Sequence, residues 1–505
     1  KDKDYKQAMD MITQSLYVGG RDLQALTLKA YILRMQDKKE EAQETIHYIQ
    51  QIDPLDYWSA AEASLSASQG ASFLKAGTNH NSKGIIAIQE LLEVVNNYMT
   101  IGATEDALTL LNSAISLGEP YASNPLLYYY KAYNLLKSKN SIEFQTCLDK
   151  ARSLSPLNNY PFRIEEIALF KTLLQKRPDD ALLHYHLGNL LYFLGQKESG
   201  LEHWLHATET DPSFAIAARN VGFGYGCLND LEKSIKYYDR AINANPNDPL
   251  LLTESDKIYE QANIPTDQRL KRLESHLKTV MKHDDAVMRL LTLYNAESKY
   301  DKSIKILNTR HFHLWEGGGQ VHDIYADSHI LKGMQFLKRK QYKEAIREFD
   351  LANQYPSNLE VAPSPNGGYE AKIYYLSGIA YEAMKQTDKA KICFEKSADT
   401  HFRSHLTDLN YYKIKSLRKL NRNGEADVAL SNMQKTLERI LRNPTDSYAK
   451  FGEANQNVQQ SNISYYSGLI HLLQNNPSAA KNDFTQALQL YPGNIWAQLM
   501  NKDIH

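Results

Sequence analysis

The chain has 505 residues, and its 58 Lys and Arg nearly cancel 59 Asp and Glu to leave a formal charge of -1. No global field therefore draws it to nucleic acid or to an anionic membrane. Gly (24) and Pro (16) are few for such a length, which points to an extended array of small units rather than several globular domains.

At the N-terminus, KDKDYKQAMDMITQSL is not a signal peptide, and no apolar run in the chain reaches the length of a membrane span. Tyr5, Ala8, Met9 and Ile12 share one helical face, predicting a helix already under way without a cap before it, and so a chain that starts inside a longer protein. Leu26, Ala30, Leu33, Ala42, Ile46 and Pro54 then trace two short helices. Residues 66–82, SASQGASFLKAGTNHNS, are polar and glycine-bearing and predict a loop or short irregular helix. Val94 to Ala114 forms a weaker helical pair, and Tyr128, Ala132, Leu135, Leu148, Ala151 and Pro156 repeat the earlier scheme. The three cysteines, Cys147, Cys227 and Cys393, lack a CxxC spacing and are expected as buried free thiols, which leaves the compartment open.

The pattern is sharpest in DALLHYHLGNLLYFLGQKESGLEHWLHATETDP and its neighbour FAIAARNVGFGYGCLNDLEKSIKYYDRAINANP, where Gly188 to Gly222 and Pro212 to Pro246 are both 34 residues. A small residue in the first helix lets the second cross close by, and the proline ends the pair. Each pair exposes an apolar face that only the next can cover. These segments resemble tetratricopeptide repeats. The resemblance implies an all-α chain, a right-handed superhelix (α-solenoid) of helix–turn–helix units. Further copies follow at Gly333, Phe336, Ala345, Phe349, Ala352 and Pro356, at Gly378, Tyr381, Ala390 and Phe394, and at Gly468, Ala480, Phe484, Ala487 and Pro492. Val287 to Leu307 is a weaker pair, and Phe162 to Arg177 is a helix-rich block.

The expected organisation is repeats over 1–155 with an irregular loop at 66–82, central repeats over 156–309, a Gly-rich joint over 310–325, and C-terminal repeats over 326–505 with an inserted loop at 357–369. Insertions in such arrays fall on loops, often on the functional rim. A second resemblance covers roughly residues 155–400 and is carried by FRIEEIALFKTLLQKRPDDALLHYHLGNLLY, RNVGFGYG, NPNDPLLLTESDKIYEQANIPTDQRLKRLE, FHLWEGGGQVHDIY and YPSNLEVAP. The run is similar to the C-terminal helical part of bacterial proteins that begin with a mutarotase-like β-sandwich. It implies a bacterial source, cytoplasmic or periplasmic, and a β domain upstream of Lys1.

The joint RHFHLWEGGGQVHDIYADSHILKG gathers His311, His313, His322 and His329. His322 and His329 are seven apart, a poor spacing for one ion, and His311-x-His313 would need the glycine turn to fold back onto the helix, so no metal site is expected. These histidines are expected in caps and inter-helix hydrogen bonds instead. The sharper feature is the loop His313, Trp315, Glu316, Gly317 and Gly318, suited to holding an anion or a neighbouring domain on the N–H groups of a helix starting near Gln320. Glu316 is expected to cap that helix itself. Gly222-Phe223-Gly224-Tyr225-Gly226 lies inside a helix and is no nucleotide loop. GxSxG, HExxH and CxxC are missing, so no catalytic residue and no cofactor is expected.

Aromatic residues supply the remaining chemistry. Tyr31, Tyr129, Tyr133, Tyr185, Tyr192, Phe193, Phe223, Tyr375 and Tyr465, with Asn189, are expected on first-helix positions of the concave face, where tyrosine gives flat apolar area and a hydroxyl. About half of them should be core. Repeats that grip C-terminal carboxylates pair Lys with Asn, but Tyr185 stands where the lysine would be. The sequence thus predicts a non-catalytic scaffold for a protein or peptide partner, or for its own upstream β domain. The alternative is the helical part of a carbohydrate-binding or carbohydrate-active protein, with a glycan closed in by the loops Trp315–Gln320 and Asn358–Tyr369.

Overall fold

The computed structural model describes residues 4–76, 85–137, 141–313, 320–363, 368–401, 406–442 and 456–504. Among the described residues every regular element is a helix. They fall into two compact units, Lys1–Gly224 and Tyr225–His505.

Within the first unit, Leu23–Met35 pairs with Lys39–Ile52, Pro125–Lys137 with Ser141–Arg152, and Ala181–Phe193 with Lys197–Thr210. In the second unit, Gln320–Lys338 pairs with Tyr342–Ala352, Glu370–Ala383 with Thr387–Ala398, Asp408–Lys419 with Asn423–Arg442, and Gln456–Leu473 with Pro477–Leu490. First helices also touch one another: Asp408–Lys419 packs on both Glu370–Ala383 and Gln456–Leu473. Each unit, in its described residues, is therefore an all-α, tetratricopeptide-like stack of helix pairs.

Two local rules build each pair. The first is steric: a Cβ on Gly188 would lie 2.5 Å from Trp204 Cδ1, and one on Gly333 would lie 2.4 Å from Phe349 Cε1. Gly378 and Gly468 stand the same way against Phe394 and Phe484. Each aromatic ring follows its glycine by 16 residues, so a missing side chain on one helix is the slot for a ring on the next. The second rule is the turn. Seven residues after these glycines the backbone enters the left-handed region, at Gly195, Lys340, Lys385 and Asn475, and it does so at Asp37 and Asn229, seven residues after Ala30 and Gly222. The next N–H then reaches back to the first helix, as in Gln196 N to Leu191 O at 2.9 Å and Gln341 N to Phe336 O at 3.0 Å, which satisfies carbonyls the helix end leaves open.

Acidic and amide caps start many helices. Asp180 accepts from Leu183 N at 3.0 Å and also from the Tyr129 hydroxyl at 3.1 Å, linking one repeat to the next. Asp4 caps Tyr5–Val18 by accepting from Gln7 N at 3.0 Å, which corrects the expectation of an uncapped start. Residues 66–76 contain the short helix Phe73–Ala76, and the rest of the predicted irregular stretch lies outside the described residues. Of the cysteines only Cys147 is buried; Cys227 is exposed and Cys393 half-buried. Cys227 closes the helix Ala215–Cys227 on its solvent side, so apolar context did not settle its burial.

Candidate functional site

Helix Ala181–Phe193 and its neighbour Ala215–Cys227 bring together four of the residues singled out in the sequence, Tyr185, Asn189, Tyr192 and Phe223. Asn189 Oδ1 accepts from Trp204 Nε1 at 2.9 Å and from Asn220 Nδ2 at 3.0 Å. Tyr192 stacks on the Trp204 ring at 4.7 Å and meets Phe223 at 6.0 Å. Tyr185 is buried against Phe214 at 5.2 Å. Phe223 and Phe193 keep exposed ring area, and the Arg219 guanidinium sits 5.5 Å from the Phe223 ring. The amide carbonyl already takes two donors, so this face holds itself together.

Deeper in the same unit, Tyr129 is fully buried, with Phe170 at 6.3 Å and Asp180 as its hydroxyl partner. Next to it His186 is fully enclosed, and neither ring nitrogen has a hydrogen-bond partner among the described residues. Burial alone pushes its pKa down to about 3. His184 and His203 meet through Nδ1 atoms 2.8 Å apart, and burial lowers His203 to about 4. Tyr133 is half-buried beneath the Lys137 ammonium, 4.4 Å from the ring centre. Tyr31 lines an apolar groove of about 370 Å³ with Tyr5, Ala8, Met11, Ile12 and Leu28.

The second unit contains a pocket of different character. It measures about 480 Å³ and is bounded by Tyr375, Tyr411, Lys415, Arg418, Lys419, Leu472, Leu473 and Asn475. Lys415 and Lys419 stand one turn apart on Asp408–Lys419, Tyr375 comes from Glu370–Ala383, and Leu472 and Leu473 end Gln456–Leu473. Arg418 donates to Leu473 O at 2.7 Å, and Lys419 pairs with Glu382 at 2.6 Å. Lys415 differs from both. Its ammonium lies 5.1 Å from the Tyr375 ring centre and 5.3 Å from that of Tyr411. Its only hydrogen bond among the described residues is a long one, 3.5 Å, to the Tyr411 hydroxyl. Burial, and then the Lys419 charge, lower its pKa below the ordinary lysine value. A half-buried cation without a carboxylate is costly unless something anionic completes it. Periodicity marked Tyr375 but not Lys415, because an isolated lysine on a first helix reads as a solvated residue.

Tyr465 is also buried, and its hydroxyl has no hydrogen-bond partner among the described residues. Trp315, Glu316, Gly317 and Gly318 lie outside the described residues. The histidines around them part company. His322 Nε2 bonds Gln354 O at 3.0 Å and its ring stacks on Tyr355 at 3.9 Å, while His329 Nδ1 meets Glu348 Oε2 at 2.6 Å inside the core. His311 and His313 are exposed and face Glu360 of the insertion instead.

Residues 225–248 and 371–399 match the family model of the tetratricopeptide repeat. Those two segments are tetratricopeptide-like. Solved structures similar to it include a fragment of MamA from Desulfovibrio magneticus RS-1, at 17% identity over 38% of this chain and 93% of that one, with a TM-score of 0.22. YrrB, described as a tetratricopeptide protein with an unusual peptide-binding site, shows 19% identity over 48% of this chain and 95% of its own, with a TM-score of 0.18. The tetratricopeptide domain of P58(IPK) shows 13% identity over 83% and 97%, with a TM-score of 0.22. At these values the three set no functional expectation for this chain. No described helix is long and apolar enough to cross a membrane.

Proposed function

We propose that this chain is a non-catalytic tetratricopeptide scaffold whose second unit binds an extended protein segment, seating an acidic side chain or terminal carboxylate against Lys415. The observation that carries this reading is the half-buried Lys415 ammonium between two tyrosine rings with no carboxylate partner among the described residues. Arg418 adds positive charge at the same pocket, and Leu472 and Leu473 offer an apolar wall. A peptide with an acidic residue beside an apolar one matches both features. The partner segment belongs either to a separate protein or to a domain upstream of Lys1. A neutral glycan would stack on the tyrosines yet leave the ammonium unpaired, so a protein segment is the better-supported occupant. Phe193, Phe223 and the groove around Tyr31 are apolar surfaces of the first unit taken by itself.

Fluorescence anisotropy with a panel of short peptides tests the reading. Peptides with a Glu or Asp next to Leu or Phe are expected to bind, with affinity falling as salt rises, and Lys415→Met is expected to weaken them about tenfold or more. Equal binding by their Gln and Asn counterparts, or binding of a neutral glycan alone, would contradict it.

A further inference from the structure

The geometry points to a divalent transition-metal site made by His311, His313 and Glu360 in the second unit. Three features of the chain build it. Residues 311–313 run without helix, and Phe312 between the two histidines is fully buried. His311 and His313 are exposed on either side of the inward Phe312, with their ring centres 4.7 Å apart. The insertion supplies the third donor. Its Leu359 is fully buried, and Glu360 follows with φ of 53° and ψ of 26°, a left-handed conformation uncommon for glutamate.

The two segments are tied by their backbones before any ion is involved. Phe312 N donates to Asn358 O at 2.8 Å, and Asn358 Nδ2 donates to Leu307 O and Arg310 O, both at 2.7 Å. His313 N also donates to Asp284 Oδ2 at 2.9 Å. With the backbones fixed, Glu360 Oε1 lies 2.7 Å from His311 Nε2 and 3.8 Å from His313 Nδ1. One donor atom from each residue falls within 4.8 Å of the other two. Donors around a tetrahedral zinc ion, bonded at about 2.0–2.1 Å, stand about 3.3 Å apart, between the two carboxylate distances. The side chains are 53%, 81% and 40% exposed, so small rotations suffice to converge and water can fill the remaining position.

Two imidazoles and one carboxylate suit Zn²⁺ and its neighbours and disfavour Ca²⁺ or Mg²⁺, which take oxygen donors. An ion held there closes a clip between the joint and the insertion, 49 residues apart in sequence. Sequence spacing could not reveal it, because the third donor comes from the insertion that follows Tyr342–Ala352 and not from the neighbouring helix.

Calorimetric titration of ZnCl₂ into the whole chain, with Co²⁺ absorption as a second reading, tests the site. The expected result is a one-to-one event and a four-coordinate cobalt spectrum, with His311→Ala, His313→Ala and Glu360→Gln each reducing Zn²⁺ affinity about tenfold or more. All three residues are exposed, so the variants are expected to keep their helical content, checked by circular dichroism. Hydrogen exchange at the Phe312 amide should slow with Zn²⁺ in the parent and not in Glu360→Gln. Zn²⁺ affinity unchanged in the variants, or no binding at all, would overturn the proposal and leave His311–Glu360 as an ordinary hydrogen bond.

Discussion

The face around Asn189 in the first unit and the pocket around Lys415 in the second are both built from first-helix residues beside tyrosines, yet they differ in what is left over. At Asn189 the carbonyl takes donors from Trp204 and Asn220, and Tyr192 stacks on the same indole. At Lys415 the neighbours are two ring faces and one long hydroxyl contact. Saturated polar groups mark a joint between repeats, whereas a cation lacking an anion among the described residues marks the place of the proposed partner. Tyrosine content alone does not separate the two.

Removing the indole that organises the first face should have the largest effect. Trp204→Ala leaves the slot above Gly188 empty and is expected to cost about 3–5 kcal/mol, measured by chemical denaturation followed through first-unit amide exchange. A loss below 1 kcal/mol would show that the face is not a packing joint.

The second prediction uses pH. His186 stays neutral in the folded chain down to about pH 3, while an unfolded histidine takes up a proton near 6.5. Stability contributed by its neutral ring is therefore present above 6.5 and lost as pH falls toward 3, at up to about 1.4 kcal/mol per pH unit. In the second unit Asp327 shows the opposite sign. Burial lifts its pKa from 3.8 to about 7, so the folded chain holds a proton the unfolded one releases. That contribution is present below 3.8 and lost as pH rises through 7. His186→Phe should flatten the acid sensitivity of the first unit, and Asp327→Asn should flatten the neutral-range sensitivity of the second. Amide exchange of each unit at pH 7.5 and 5.5 checks both, and unchanged profiles would remove this part of the contrast.

Smaller again is Asn189→Ala, expected to cost about 1–3 kcal/mol because Trp204 Nε1 and Asn220 Nδ2 lose their acceptor. It should leave acidic-peptide affinity unchanged. Lys415→Met should do the reverse, changing stability by less than about 1 kcal/mol, in the stabilising direction, while peptide affinity falls. If both variants weakened peptide binding alike, the division between joint and site would fail.

Much of the fold was legible. The 34-residue spacing of Gly188 and Gly222, and of Pro212 and Pro246, reflects a packing rule: a glycine slot, a ring 16 residues on, a left-handed turn residue between them. Less of the site could be read. Tyr129, Tyr185, Tyr375 and Tyr465 fit a first-helix pattern, but burial depends on which neighbouring helix covers each ring, and all four are largely enclosed. Lys415 and Glu360 carried no periodic signal. Their meaning arises from what comes near them: tyrosine rings without a carboxylate for one, a pair of imidazoles from a distant segment for the other.

The most direct measurement is the pKa of Lys415, followed by nitrogen NMR of the side-chain ammonium with and without an acidic peptide. The expected value lies below the ordinary 10.5 in the free chain and rises when the peptide's carboxylate pairs with it. A pKa that the acidic peptide leaves unmoved, while the peptide still binds, would contradict the assignment of this pocket.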